Sequence, residues 1–153
     1  MGRGKPRRPK VDPALRPGSH GQRRPRVAAP PCDGDNAVVW QLRHLDDFPK
    51  EWITADWPRV VTRLQYLEQQ GWRRIGADSK KKDTDHFIKL NLLHSNAQQR
   101  LVKLQLDDED HLLSIHVHGG VRAWAVRVGT TPIARLLWWD PDKEVYPTSK
   151  RHT

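Results

Sequence analysis

Residues 111 to 146 read HLLSIHVHGGVRAWAVRVGTTPIARLLWWDPDKEVY. Three runs of alternating character are divided by Gly119-Gly120 and by Gly129-Thr130-Thr131-Pro132, a pattern that predicts a β-meander. A two-residue Gly-Gly loop suits a hairpin turn with positive φ at its central positions. Counting outward from it predicts Val117 opposite Arg122, Ile115 opposite Trp124 and Leu113 opposite Val126 on a core side. The other side then carries His118, His116 and Ser114 across from Val121, Ala123 and Ala125. Alanines are too small to cover imidazoles, so that side reads as an open trough, bordered by Arg127 or Trp138. Across the second loop the count pairs Val128 with Ile133. Ile133, Leu137 and Trp139 then face the core, Leu136 and Trp138 lie beside the alanines, and Arg135 points inward. A one-residue slip exchanges the two tryptophans, and either way one faces each side of the sheet. Asp140-Pro141-Asp142-Lys143 has the Asp and Pro of a type I turn that ends the last strand.

Working outward, VVWQLRHL (38–45) alternates as a strand and is expected to join the meander's sheet. A helix follows, because Trp57, Val60, Val61, Leu64 and Leu67 recur at helical spacing, Asp56 or Thr54 can cap its start and Gly71 its end. Trp40, Trp57 and Trp72 read as core. Residues 76–86, GADSKKKDTDH, read as a polar loop. Ser95-Asn96-Ala97-Gln98 has the form of a capping box, opening a second helix that runs through Leu101 and Leu104 and stops near Asp107. The acids Asp107 to Asp110 would be unfavourable at the negative end of a helix, so they are expected in a loop. The fold class is therefore α+β: a small antiparallel sheet, built from an N-terminal strand plus the three-stranded meander, packed on two helices.

The formal charge of +9 is concentrated, since residues 1–31 hold nine Lys or Arg against one Asp. That stretch also holds seven of the twelve prolines and few large apolar residues. It cannot bury enough surface to offset its ordering entropy, which predicts a disordered basic tail over 1–36 and a single α+β domain over 37–153. Such a tail is an arm for the phosphates of RNA or DNA, with Arg7, Arg8, Arg23 and Arg24 among its contacts. MGRGKPRRPK has no apolar signal-peptide core, and no span approaches membrane length. Cys32 is the chain's one cysteine, so no disulfide can form within it. The expected location is the cytoplasm, with no membrane partner.

Three groups of residues carry candidate chemistry. Lys80, Lys81 and Lys82 lead to His86, a basic loop able to bring an acid–base group to a phosphate. His116 and His118 share one side of the predicted strand, the spacing of a two-histidine metal site; His86, His111 or an acid would complete it. The third group is the trough itself, closed by the C-terminal KRHT.

The order strand, helix, helix, meander, basic C-terminus resembles the RelE/ParE-type bacterial toxin superfamily, and HVHGGVRAWAVRV resembles its central hairpin. The resemblance implies a ribosome-dependent endoribonuclease. Phosphate charge would then be met by Arg122, Arg127 and Lys150 with Arg151 beside them, proton transfer would fall to His116 or His152, with His86 of the basic loop a further catalytic candidate, and base stacking to Tyr146 or Trp138. ParE-type members bind a protein target instead, so an antitoxin-like partner is also implied. The basic tail, the long loop from Trp72 to Ser95 and the near-neutral body depart from the ribosome-dependent pattern. LLWWDPDKEVYP followed by KRHT is similar to a C-terminal signature of uncharacterised bacterial proteins, in which a histidine often stands at the position of Lys143. The leading expectation is a small nucleic-acid-associated binding module, acting on RNA or at the ribosome. The alternatives are a RelE-like toxin ribonuclease cleaving mRNA and a metal-dependent hydrolase using His116 and His118; no organic cofactor is implied.

Overall fold

The computed structural model describes residues 37–75 and 85–147. Among these, β1 (Val39–Gln41), α1 (Trp57–Gln70), β2 (His86–Lys89), α2 (Ser95–Lys103), β3 (His111–His118), β4 (Val121–Arg127) and β5 (Ile133–Asp140) form an α+β fold. The strands make one mixed sheet in the order β1-β5-β4-β3-β2. The meander is present and the N-terminal strand does join it. β1, however, runs parallel to β5, which the long intervening chain permits. β2 is an addition: His86 begins a strand, where the sequence had suggested the end of a polar loop. Its four residues pair with β3 and bury only Ile88, too short an alternation to stand out.

Helix α1 forms where its apolar spacing predicts. The Asp56 carboxylate accepts from the Arg59 amide at 3.4 Å, Pro58 occupies the first turn, and Gly71, at φ 73°, closes the end by donating to the Leu67 carbonyl. Val60, Leu64 and Leu67 are buried. Val61 is 45% exposed and lies off that stripe. Trp57 stacks on Trp52 at 5.0 Å, and the Trp40 indole donates to the Leu64 carbonyl at 3.1 Å. Helix α2 starts one residue earlier in function than its capping box suggested. His94 is the N-cap, its Nδ1 accepting from the Asn96 amide at 3.2 Å, while Gln98 donates to the Leu93 carbonyl at 2.8 Å. Ser95 is the first helical residue. The helix ends at Lys103, and the run of acids is a loop as expected.

The faces of the meander differ from the sequence count because two β-bulges rephase it. His118 pairs with Val121, but His116 then pairs with Arg122, Ile115 with Ala123 and Leu113 with Ala125, so Val117 is the extra residue. A second bulge lies at Leu137, between the Trp124–Trp138 and Ala125–Leu136 pairs. Its carbonyl, turned away from the ladder, accepts the Asp46 amide at 2.9 Å and the Trp52 indole at 2.8 Å. A bulge frees backbone groups in this way, and here they anchor the segment after β1.

Both faces of the sheet are consequently core. Leu113, Ile115, Ala123, Ala125, Leu136 and Trp139 pack under α1 with Val60, Leu64, Leu67 and Trp72. Leu112, Trp124, Val126, Leu137 and Trp138 pack on the other side with Ile88, Leu93, Ala97 and Leu101. Ala123 is 0% exposed: the alanines are a low floor on which α1 sits, and the expected open trough does not exist. Trp138 and Trp139 do face opposite sides. Arg135 finds its partner in the Gln41 side-chain oxygen at 3.0 Å.

Candidate anion-binding cleft

On the face away from α1, pairing lines up His86, Ser114, Trp124 and Trp138 across β2, β3, β4 and β5. The adjacent row runs His116, Arg122, Asp140. Where these rows meet the segment after β5, a cleft of about 60 Å³ is lined by His86, Ser114, Arg122, Trp124, Asp140, Lys143 and Tyr146. Ser114, though only 3% exposed overall, reaches it.

Asp140 holds the far wall. It is 1% exposed, and its oxygens accept from the Glu144 amide at 2.8 Å, the Val145 amide at 3.1 Å and the Trp124 indole at 3.3 Å. Burial pushes its pKa above the ordinary carboxylate value, with the negative Glu144 adding to the rise and the three N–H groups only partly opposing it. These contacts fold the chain back after β5 as the Asp-Pro pair predicted, and the turn is completed by Lys143 at φ 58°. The Val145 carbonyl then accepts the His94 amide at 2.9 Å, fastening this segment to the start of α2. Lys143 is thereby carried to the β3–β4 hairpin, where its Cε lies 2.8 Å from the position a Cβ on Gly120 would take.

Three residues singled out from the sequence, His86, Arg122 and Tyr146, share this cleft. His116 lies in the adjoining row and donates from Nε2 to the Gly119 carbonyl at 2.8 Å, while its amide donates to Asp85 Oδ1 at 2.8 Å. Asp85, which also pairs with Arg63, stands in for the strand partner that β2 is too short to provide. His118 pairs with Val121, whose side chain packs toward α1, so the bulge separates the two imidazoles that an unbroken strand would have aligned. The two-histidine metal site is corrected on that ground. Among the described residues no group of three His, Cys, Asp or Glu converges as a metal site.

One further expectation is corrected. Trp138 is 0% exposed and donates its indole hydrogen to Asp46 Oδ2 at 2.8 Å, which makes it a core anchor and no platform for a base. Arg127 lies apart from the cleft, on its own hairpin, and keeps its charge. It donates to the Thr130 and Thr131 carbonyls at 3.1 and 3.0 Å, and its guanidinium lies 4.5 Å from the centre of the Trp72 ring. Arg7, Arg8, Arg23, Arg24, Lys80, Lys81, Lys82, Lys150, Arg151 and His152 lie outside the described residues.

The sequence reading missed Asp140 and Lys143 as parts of a site, treating both only as turn formers. The available signal was a lone acid directly after two tryptophans, a position where the strand is still buried and a carboxylate needs several donors. No helix among the described residues is long and apolar enough to cross a membrane. Comparison of the chain with protein-family models, with curated proteins and with solved structures found no match in any of the three.

Proposed function

We propose that this chain is a nucleic-acid-binding module, acting on RNA or DNA in the cytoplasm, whose folded body holds a phosphate in the cleft. The observation that carries this reading is that Arg122, Lys143 and His86 line one cleft with Ser114 and Tyr146, from four separate parts of the chain. These are residue types that donate to phosphate oxygens, and charge-assisted bonds from Arg and Lys are the stronger kind. Asp140 is the one carboxylate in the lining, and its oxygens are turned to the Trp124 indole and the Glu144 and Val145 amides. The basic segment before residue 32 adds a sequence-independent attraction that salt weakens. The test is binding of labelled single-stranded RNA by the full chain: the Arg122→Gln, Lys143→Gln pair is expected to lower affinity about ten-fold or more. Unchanged affinity would remove the cleft from the binding surface.

The ribonuclease alternative is favoured by one feature, the His86 imidazole lining the same cleft as two cations. In that reading His86 takes the proton of the attacking 2′-hydroxyl, the 2′-oxygen bonds to phosphorus as the P–O5′ bond breaks, the leaving 5′-oxygen takes a proton from water, and Arg122 and Lys143 stabilise charge on the phosphate. His86→Ala would then abolish RNA cleavage while leaving RNA binding largely in place. An antitoxin-like protein partner belongs with the toxin resemblance, whether of the ribonuclease or the ParE type.

A further inference from the structure

We propose that the cleft receives the terminal phosphate monoester of a nucleic-acid strand, and that Gly120 is the positioning residue that lets Lys143 reach it. This rests on the nucleic-acid reading above and narrows it from strands in general to strand ends.

Size is the first argument. The cleft measures about 60 Å³, whereas a water's share of the liquid is about 30 Å³ and sites for drug-sized molecules begin near about 300 Å³. It is far smaller than a site that encloses a nucleoside. One tetrahedral phosphoryl group fits it.

Shape and charge select among phosphates. The lining comes from β2 (His86), β3 (Ser114), β4 (Arg122, Trp124), the end of β5 (Asp140) and the segment beyond it (Lys143, Tyr146), so the cleft has the sheet as its floor and the segment after β5 along its side. An internal phosphodiester must continue away from the phosphorus on two of its oxygens, which leaves only two for the donors of a cleft this small. A terminal monoester continues on one oxygen and presents three others to donors. It also carries about −1.5 to −2 charges at neutral pH against one for a diester, so it gains more from the Lys143 ammonium that Gly120 admits.

The placement of Lys143 depends on a residue that contributes no side chain. Gly119 has φ 51° and serves the turn, but Gly120 is not among the positive-φ glycines, so its backbone is one that alanine adopts. What Gly120 supplies is room. A Cβ there would stand 2.8 Å from Lys143 Cε and 3.5 Å from Nζ. Because those atoms are the far end of a flexible side chain, Gly120→Ala displaces the ammonium and leaves the hairpin standing.

The test measures binding of the full chain to short single-stranded RNA and DNA oligonucleotides of one sequence, carrying a 5′-phosphate, a 3′-phosphate or hydroxyls at both ends. A phosphorylated end is expected to improve affinity about ten-fold over hydroxyl ends, with inorganic phosphate erasing the difference by competition. The better of the two phosphorylated ends identifies which terminus is held. Lys143→Ala and Gly120→Ala should each remove most of this preference at unchanged melting temperature, and the double variant should lose no more than Lys143→Ala alone, as residues acting through one another do. Fully additive losses would overturn the role of Gly120. Equal binding of all ends, with Lys143→Ala weakening every strand alike, would overturn the terminal-phosphate inference and leave the nucleic-acid reading standing. Strands bound identically by wild type, Lys143→Ala and Arg122→Gln would overturn both.

Discussion

Trp138 and Arg100 grip the same carboxylate: the indole of Trp138 donates to Asp46 Oδ2 at 2.8 Å, and Arg100 Nε donates to that oxygen at 2.9 Å. One side chain after β1 thus ties the centre of the sheet to α2. Burial alone would push Asp46 up, but the guanidinium and the indole N–H outweigh it and hold the pKa below the ordinary value of 3.8. A carboxylate whose folded-state pKa is depressed contributes its full stability above the unfolded value and loses it as pH falls through the folded one. Wild type should therefore lose stability in acid below about pH 4, and Asp46→Asn should flatten that part of the profile while costing about 2 kcal/mol near neutrality. Urea denaturation across that range checks it; matching acid limbs for both proteins would remove Asp46 as the source.

Trp124 is buried, with its indole on Asp140, at the floor of the cleft. Trp124→Ala should cost about 3–5 kcal/mol. Trp124→Phe keeps much of the volume but takes one donor from Asp140, so it should cost less and still weaken phosphate binding. A Trp124→Ala protein that melts like wild type would contradict the burial of this face.

Ala123 lies opposite Ile115 on β3 and Trp139 on β5, directly in the core under α1. Ala123→Phe overpacks that layer and should destabilise by about 1–3 kcal/mol or more. A variant with full stability would show that the alanine face has open space above it.

The basic segment and the cleft should be separable by salt. Replacing Arg7, Arg8, Arg23 and Arg24 by Gln should flatten the dependence of log affinity on log salt by up to about 0.7 per arginine on single strands, without altering any preference for phosphorylated ends. An unchanged slope would place the long-range attraction in the folded body.

Helix α1 was legible because its information is local: a carboxylate cap, a proline in the first turn, a 3.6-residue stripe and a terminal glycine all lie within sixteen residues of chain. The meander's turns were legible for the same reason, from Gly119-Gly120, Gly129 and Asp140-Pro141. Which side chains share a face was decided elsewhere. A strand of period two inverts its sides for every residue inserted or removed, and the bulges at Val117 and Leu137 answer to distant demands. The Leu137 carbonyl meets Asp46 and Trp52, and Ala123 and Ala125 must lie low beneath α1. Because Ile115 and Trp124 are both apolar, alternation alone could not show that they face opposite sides. The cleft belongs to the same category. Arg122 and Tyr146 stand out as single residues, but their meeting with Lys143 depends on a buried Asp140 turning the chain and on an empty Gly120 letting the lysine cross, two contacts that only packing creates.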